Sequence, residues 1–364
     1  MKLRHLPRAK NPPGDIRRLP YFHPRTERGQ AGVALLFWLV GLTILFAPFL
    51  REQSAPDQEG DDPGRLLSEI DIPFDEDVSN FEEDFELPLG DAIASESERW
   101  FGEESELLRD SELIELGRLE AGERAYVRYC LGCHGSTGDG AGAAARYLEP
   151  RPRNFRRGLF KFTSTSTGEP PLRRDLFQTI TRGLAGSSMP EFRLLSEERR
   201  WDLVEYVRYL AMRGSFEQLM LDLAWEDEEV PDPDEVAEIV MERWAPENMR
   251  AVYPAVTEIP MTAETIARGE ELFVSVTGAN CAACHGPGGK GDGPAAYDFK
   301  DEWGYPVKPR DLTRGVFRAG SEAADLYRSI ATGITGTPMP SYASSIEPED
   351  IWSLVHFIQN LRVD

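Results

Sequence analysis

The sequence predicts a mostly α-helical protein, in which one N-terminal transmembrane helix precedes two tandem helical domains. Three observations lead to this fold class. Residues 31–50 form a long apolar run without a charge, a set of motifs occurs twice in the same order, and the segments beside these motifs place apolar and aromatic residues at helical spacing. The length of 364 residues is enough for two ordinary domains and additional segments.

The apolar run reads "AGVALLFWLVGLTILFAPFL" and has the length of about 20 residues that a helix needs to cross a bilayer. A cleaved signal peptide is the alternative, but its apolar core is usually shorter and no clean cleavage site stands beside Pro48 and Phe49. Residues 1–30 are rich in Lys and Arg, whereas acidic residues soon outnumber Arg51 after the run. The positive-inside rule therefore predicts a single-pass protein of the bacterial inner (cytoplasmic) membrane, with residues 1–30 in the cytoplasm and the remainder in the periplasm.

Residues 51–107 are predicted to form an acidic tether. Between residues 59 and 91 acidic residues alternate irregularly with Ile, Phe and Leu, and neither a helical nor an alternating period is present. Such a composition favours a solvated spacer. A second interpretation is a docking strap, in which Phe74, Phe81 and Phe85 insert into a partner subunit while the carboxylates face basic groups.

Two cysteine motifs define the internal repeat, "YCLGCHGSTGDG" from Tyr129 and "NCAACHGPGGKGDG" from Asn280. The segments that follow also match in order: "RPRNFRRGLF" with "KPRDLTRGVF", "GSSMPEF" with "GTPMPSY", and a final amphipathic helix in each copy. The predicted domains cover residues 108–214 and 263–364. The linker, residues 215–262, is expected to contain a helix from near Asp234 to near Pro246.

Each first helix carries a glycine four residues before an aromatic residue, which puts the two on one helical face. These pairs are Gly122 with Tyr126 and Gly269 with Phe273. Such a glycine, facing an aromatic residue of the last helix, would let the two helices cross closely.

The Cys-x-x-Cys-His motifs are compatible with three kinds of site. One four-thiolate zinc site would draw its ligands from two separate folded repeats, which is far from the usual spacing. A thioredoxin-like disulfide needs alternating strands and helices, which these flanks lack. Covalent haem attachment needs two thiols one helical turn apart and an adjacent imidazole, and both copies supply them. The sequence thus predicts two covalently bound haem c groups, with attachment at Cys130, Cys133, Cys281 and Cys284.

The axial iron ligands can be predicted from the few histidines and from the repeated methionines in the sequence. His134 and His285 are the proximal candidates, and of the five histidines only His356 remains beyond the apolar run, without a counterpart in the first copy. Met189 follows Cys130 by 59 residues and Met339 follows Cys281 by 58, each before a proline and after a glycine-containing turn. We therefore predict that His134 and Met189 are the axial ligands of the first haem iron and that His285 and Met339 are those of the second. The other methionines of the haem-bearing part have no repeat partner and are expected to pack: Met212, Met220, Met241, Met249 and Met261.

In this combination of motifs, each half resembles a class I cytochrome c domain. The resemblance covers residues 108–214 and 263–364, and the longer segment "VSVTGAN" before the second motif is a departure that removes no ligand. It implies a small helical bundle around each haem and one-electron transfer between iron(II) and iron(III). His/Met ligation implies moderate to high reduction potentials, because the thioether favours reduced iron.

The predicted function is electron transfer by a non-catalytic subunit of a membrane respiratory complex. The first candidate is a subunit of, or carrier beside, a bc-type quinol-oxidising complex; the alternatives are the di-haem subunit of a cbb3-type oxidase and a di-haem peroxidase. A methionine loop in both halves weighs against the peroxidase, which needs an open iron position. The balance of 40 basic and 63 acidic residues, net −23, excludes general nucleic-acid binding and favours a redox partner with a basic docking surface.

Overall fold

The computed structural model describes residues 89–102, 113–227, 230–246, 248–252 and 256–362. Over these residues the fold is helical, with short 3₁₀ turns and a single isolated antiparallel bridge between Lys300 and Pro306. This confirms the mostly α fold class. The helices are α1 Leu89–Phe101, α2 Leu119–Tyr129, α3 Leu131–His134, α4 Arg173–Arg182, α5 Glu197–Asp227, α6 Pro233–Trp244, α7 Ala263–Val274, α8 Ala282–His285, α9 Ala323–Thr332 and α10 Pro348–Asn360.

None of the helices in these ranges is both long enough and apolar enough to span a bilayer. The predicted transmembrane span, residues 31–50, lies outside the described residues, as does most of the predicted tether.

The described helices build two hydrophobic cores, one around each copy of the repeat. Helices α2, α4 and α5 surround the first core, and α7, α9 and α10 surround the second. In both copies the first helix packs against the last. A Cβ atom on Gly122 would lie 2.8 Å from the Cβ of Tyr206, and one on Gly269 would lie 2.8 Å from the Cβ of Phe357. The predicted close crossing of glycine and aromatic residue is confirmed in both domains.

Helix α1 begins inside the segment expected to be an acidic tether. Leu89, Ile93, Ser97 and Phe101 are all buried, and the Ser97 hydroxyl donates a hydrogen bond of 2.6 Å to Glu217 on α5. Their four-residue spacing forms one face of a helix. Residues 89–101 are therefore a folded part of the first domain. Their helical spacing was not recognised in the sequence because it begins only where the acidic stretch ends.

The linker also differs from the expected boundary at residue 215. Helix α5 runs straight through that position to Asp227, and α6 folds back onto it and buries Trp244 completely beside Arg208. After α6 the chain passes from the first domain to the second. Val252 donates its backbone N–H to Ser164 of the first domain, whereas the carbonyl of Val256 accepts a hydrogen bond from Trp352 of the second.

Most methionines without a repeat partner pack as expected. Met212, Met220 and Met249 are buried and Met241 lies against the first core. Met261 is 50% exposed, so the packing expectation was wrong for it. It stands directly before the capped start of α7, where the chain lies at the surface.

Candidate haem-binding sites

The two cysteine motifs take the same local structure. In the first, α2 ends at Tyr129 and the chain turns at Cys130 into the single-turn helix α3, where the His134 backbone N–H donates to the Cys130 carbonyl at 2.9 Å. In the second, the corresponding bond from His285 to Cys281 is 2.8 Å. One helical turn thus holds both thiols and the imidazole of each motif. All four cysteines are partly buried, and none is paired with another in a disulfide.

Both histidines are oriented by a backbone carbonyl. The Nδ1 atom of His134 lies 3.1 Å from the carbonyl oxygen of Arg153, and Nδ1 of His285 lies 3.0 Å from that of Arg310. Because a carbonyl only accepts, Nδ1 carries the proton and the lone pair of Nε2 is left for a metal. Burial lowers the pKa of both imidazoles, which keeps them neutral. This is the form that binds iron.

The sequence reasoning did not identify these two acceptors. Their signal was the Pro-Arg pair that the repeat places after each motif, in "RPRNF" and "KPRDL". A backbone carbonyl has no residue type to reveal it, so the pair was noted only as an alignment match.

The two predicted methionine ligands lie on loops of the same construction. The backbone N–H of Leu184 donates to the Met189 carbonyl at 3.2 Å, and that of Ile334 to the Met339 carbonyl at 3.1 Å. Each loop also follows a glycine with positive φ, Gly183 or Gly333, at the end of α4 or α9. Both methionines are half-buried.

Aromatic residues after the methionines connect these loops to the cysteine motifs. Phe192 contacts the ring of Tyr129, the neighbour of Cys130, at a centroid distance of 6.3 Å. In the second domain the Tyr342 hydroxyl donates to the carbonyl of Ala279 at 3.0 Å, two residues before Cys281. The loop that carries each methionine is thereby held against its own cysteine motif.

Two of the four thiols lack the reactivity of a redox centre. Burial raises the pKa of Cys130 and of Cys281 to about 12. A thiol that attacks disulfides instead has a lowered pKa, because the thiolate is the reactive form. The two pairs also belong to different cores. These features speak against both a thioredoxin-like site and a single zinc site.

The residues present fit a haem group on further grounds. Trp303 Nε1 and Arg318 Nε are buried and have no hydrogen-bond partner within the described residues. The Trp303 ring contacts Arg153 of the first domain, and Arg318 lines a cavity together with Phe162 of that domain. A buried donor of this kind costs free energy unless an acceptor reaches it. Haem carries carboxylates, which are acceptors of the required type.

The two sites are not identical. His134 stacks on Phe155 with ring centroids 4.6 Å apart, a position that Leu312 takes in the second domain. The Tyr126 hydroxyl donates to the Gly135 carbonyl at 2.8 Å, whereas its counterpart Phe273 has no hydroxyl. The surroundings of the two histidines therefore differ in both packing and polarity.

Comparison with known families matches part of each of the two repeats. Residues 117–207 match the family described as cytochrome C oxidase, cbb3-type, subunit III, and residues 266–362 match the cytochrome c family. The matched ranges contain all eight predicted haem-site residues.

Two curated relatives are cbb3-type cytochrome c oxidase subunits FixP. The protein of Bradyrhizobium diazoefficiens is 34% identical over 95 residues, which is 26% of this chain and 27% of the relative. That of Azorhizobium caulinodans is 31% identical over 94 residues, 26% of each chain. This chain thus spans about a quarter of the length of the curated relatives it matches.

A solved structure is similar over a larger part. A chain of the reducing HAO-like protein complex of Kuenenia stuttgartiensis is 32% identical, with a TM-score of 0.55, and the alignment covers 96% of that chain and 67% of this one. The family matches, the similar structure and the duplicated cysteine and histidine geometry identify this chain as a c-type cytochrome with two cytochrome c domains.

Proposed function

We propose that the chain is a membrane-anchored di-haem cytochrome c that passes single electrons through two His/Met-ligated haems as a subunit of a respiratory complex. The observation that carries this proposal is the duplicated histidine geometry, in which a carbonyl fixes Nδ1 as the donor at both motifs. Bound haem would supply a one-electron iron couple at each site.

The protein residues have distinct tasks in this function. The cysteines, Cys130 and Cys133 in the first domain and Cys281 and Cys284 in the second, would hold the haem covalently, so that it stays in place through every redox cycle. The carbonyls of Arg153 and Arg310 keep each imidazole in one tautomer and one orientation. Met189 and Met339 would supply the second protein ligand to each iron, which would suit it to electron transfer and leave no open position for a substrate. Two sites in tandem lengthen the electron path from the membrane.

Among membrane complexes, a cbb3-type oxidase is supported by the match of the first domain to its subunit III family and by both FixP relatives. A complex like the one from Kuenenia is the second candidate, because the similarity to its chain extends over 96% of that chain's length. The bc-type quinol-oxidising complex, which was the first candidate from the sequence, is a third proposal; it would use the chain for the same electron transfer. In each case the net charge of −23 supports a redox partner with a basic docking surface.

The membrane attachment is proposed from the uncharged run at residues 31–50 and the basic segment before it. With this topology both haem domains are in the periplasm. A periplasmic reporter fused to the C-terminus would then be active, and activity of a cytoplasmic reporter would overturn the topology.

Purification from gently solubilised membranes tests the partner. A tag at the C-terminus should recover the chain together with the subunits of one respiratory complex, and oxygen consumption by the recovered material would select the oxidase. Recovery of the chain alone, with rapid peroxide turnover, would instead support an enzyme. The haem content of the same sample separates a wrong partner from a wrong cofactor.

A further inference from the structure

The second domain contains a hairpin that the first domain lacks. In the first copy the proximal histidine and the residue whose carbonyl it contacts are 19 residues apart, and in the second copy they are 25 apart. The second copy is thus six residues longer here, and its residues 299–307 form a hairpin. It is closed by hydrogen bonds from Val307 N–H to the Phe299 carbonyl and from Asp301 N–H to the Tyr305 carbonyl, each 2.9 Å long.

This hairpin is clamped onto the first domain. Asp301 forms an ion pair of 3.1 Å with Lys161, whose side chain is 14% exposed while that of Asp301 is 8% exposed. The guanidinium carbon of Arg153 lies 3.4 Å from the centre of the Trp303 ring, which is a cation–π contact. Both partners in the first domain belong to the segment that also supplies the acceptor for His134.

The other side of the hairpin supports the loop that carries Met339. The Glu302 backbone N–H donates to the Gly336 carbonyl at 3.1 Å. Gly336 has a φ of +73°, and a Cβ atom there would lie 2.4 Å from the Trp303 ring. The indole therefore rests directly on the backbone three residues before the methionine, between that loop and Arg153.

The loop that carries Met189 has much weaker support. Its glycine at the corresponding position, Gly186, is exposed, and the nearest atoms to a Cβ there all belong to the guanidinium of Arg310 from the second domain. In the second loop Thr335 and Gly336 are buried. A loop with fewer buried contacts opens at a lower free-energy cost.

We propose that the hairpin of residues 299–307 is a positioning element for the second iron site and that Trp303 keeps the Met339 loop closed. The first iron site then exchanges its sixth ligand more readily than the second. This inference rests on the proposed roles of Met189 and Met339 as axial ligands. Trp303 acts through the loop and is not itself an iron ligand.

Imidazole titration of the oxidised full-length protein tests the proposal, because imidazole replaces methionine on iron and removes the weak sulfur-to-iron absorption band. The variant Met189→His blocks the first site, so that the remaining band reports on the second. Met339→His blocks the second site, so that the remaining band reports on the first. The midpoint in Met189→His should exceed that in Met339→His by about tenfold, the ratio for a difference of about 1.4 kcal/mol. Equal midpoints would overturn the proposal.

The variant Trp303→Ala in the Met189→His background should lower the imidazole midpoint by about the same tenfold factor. Trp303→Phe should keep most of the protection, since a ring remains on Gly336. Tyr305→Ala is the matched comparison on the same hairpin; it removes a half-exposed contact with Arg151 of the first domain and no contact with the loop, so it should lower the midpoint by much less than Trp303→Ala. An unchanged midpoint in Trp303→Ala, or the same loss in Trp303→Phe, would refute the role of ring packing.

A second variant guards against simple misfolding. Asp301→Asn removes the charge that pairs with Lys161 and keeps a side-chain oxygen for the hydrogen bonds from the backbone N–H groups of Trp303 and Tyr305. It should lower the midpoint in the same direction by a smaller factor. No effect of Asp301→Asn would contradict the clamp. If Met189→His leaves the sulfur-to-iron absorption undiminished, the axial assignment itself is wrong; if the assignment holds and the midpoints agree, only the hairpin proposal fails.

Discussion

The close crossing of α2 and α5 makes a sharp prediction for Gly122. A Cβ atom at this position would lie 2.3 Å from the Asp202 carbonyl oxygen and 2.8 Å from the Tyr206 Cβ. A carbon and a carbonyl oxygen approach to about 3.3 Å at the closest. Gly122→Ala therefore forces the two helices apart by roughly 1 Å, or distorts both backbones by a similar amount.

The expected cost can be estimated from two opposing effects. Overpacking of this size costs about 1–3 kcal/mol and occasionally more, whereas alanine in a helix gains about 1 kcal/mol over glycine. Because the contact is with backbone that cannot rotate away, we expect a net loss of about 2 kcal/mol in the free energy of unfolding.

Gly117→Ala is the matched control. Gly117 lies five residues earlier in the same domain, and a Cβ atom there meets nothing within 4 Å. This variant should be neutral or stabilised by up to about 1 kcal/mol. Chemical denaturation of both variants, followed by helical circular dichroism and by haem absorption, measures the difference. If Gly122→Ala is as stable as Gly117→Ala, the reasoning about the helix crossing is refuted.

Three further substitutions test the packing of the first domain. Trp244→Ala should lower the free energy of unfolding by about 3–5 kcal/mol, because a fully buried indole is lost. The half-exposed Ile239 on the same helix provides the control, since its change to Ala should cost much less. Equal effects of the two variants would show that α6 does not pack as described. Tyr126→Phe removes the hydrogen bond to the Gly135 carbonyl and should cost about 0.5–1.5 kcal/mol in denaturant titration, so an unchanged stability would contradict that bond. Asp232→Ala removes the N-cap of α6 and should cost about 1 kcal/mol in the same assay, and a stabilised variant would argue against the cap.

The sequence predicted those parts of the fold that depend on residue types in a repeated order. The crossing of first and last helix followed from Gly122 and Gly269, because only glycine permits such an approach. The cysteines, histidines and methionines could be chosen because the repeat placed each at matching distances, and the structure assembles the elements that carry them.

Other features could not be obtained in this way. The carbonyls of Arg153 and Arg310 belong to the backbone, which every residue possesses. The hairpin around Trp303 is an insertion in one copy, so a comparison that looked for matches passed over it. Helix α1 was missed because its apolar residues follow a long acidic stretch, and its stability comes from packing on α5 rather than from its own pattern.

The central claim is that each repeat holds one covalent haem, and the ratio of haem to polypeptide tests it most directly. Mass spectrometry and haem absorption of the purified full-length protein should both give two haems per chain. Replacing Cys130 and Cys133 by Ala should leave one haem, and the same replacement of Cys281 and Cys284 should leave the other. A ratio of one or zero in the unmodified protein, or cysteines found in a disulfide or bound to zinc, would contradict the account.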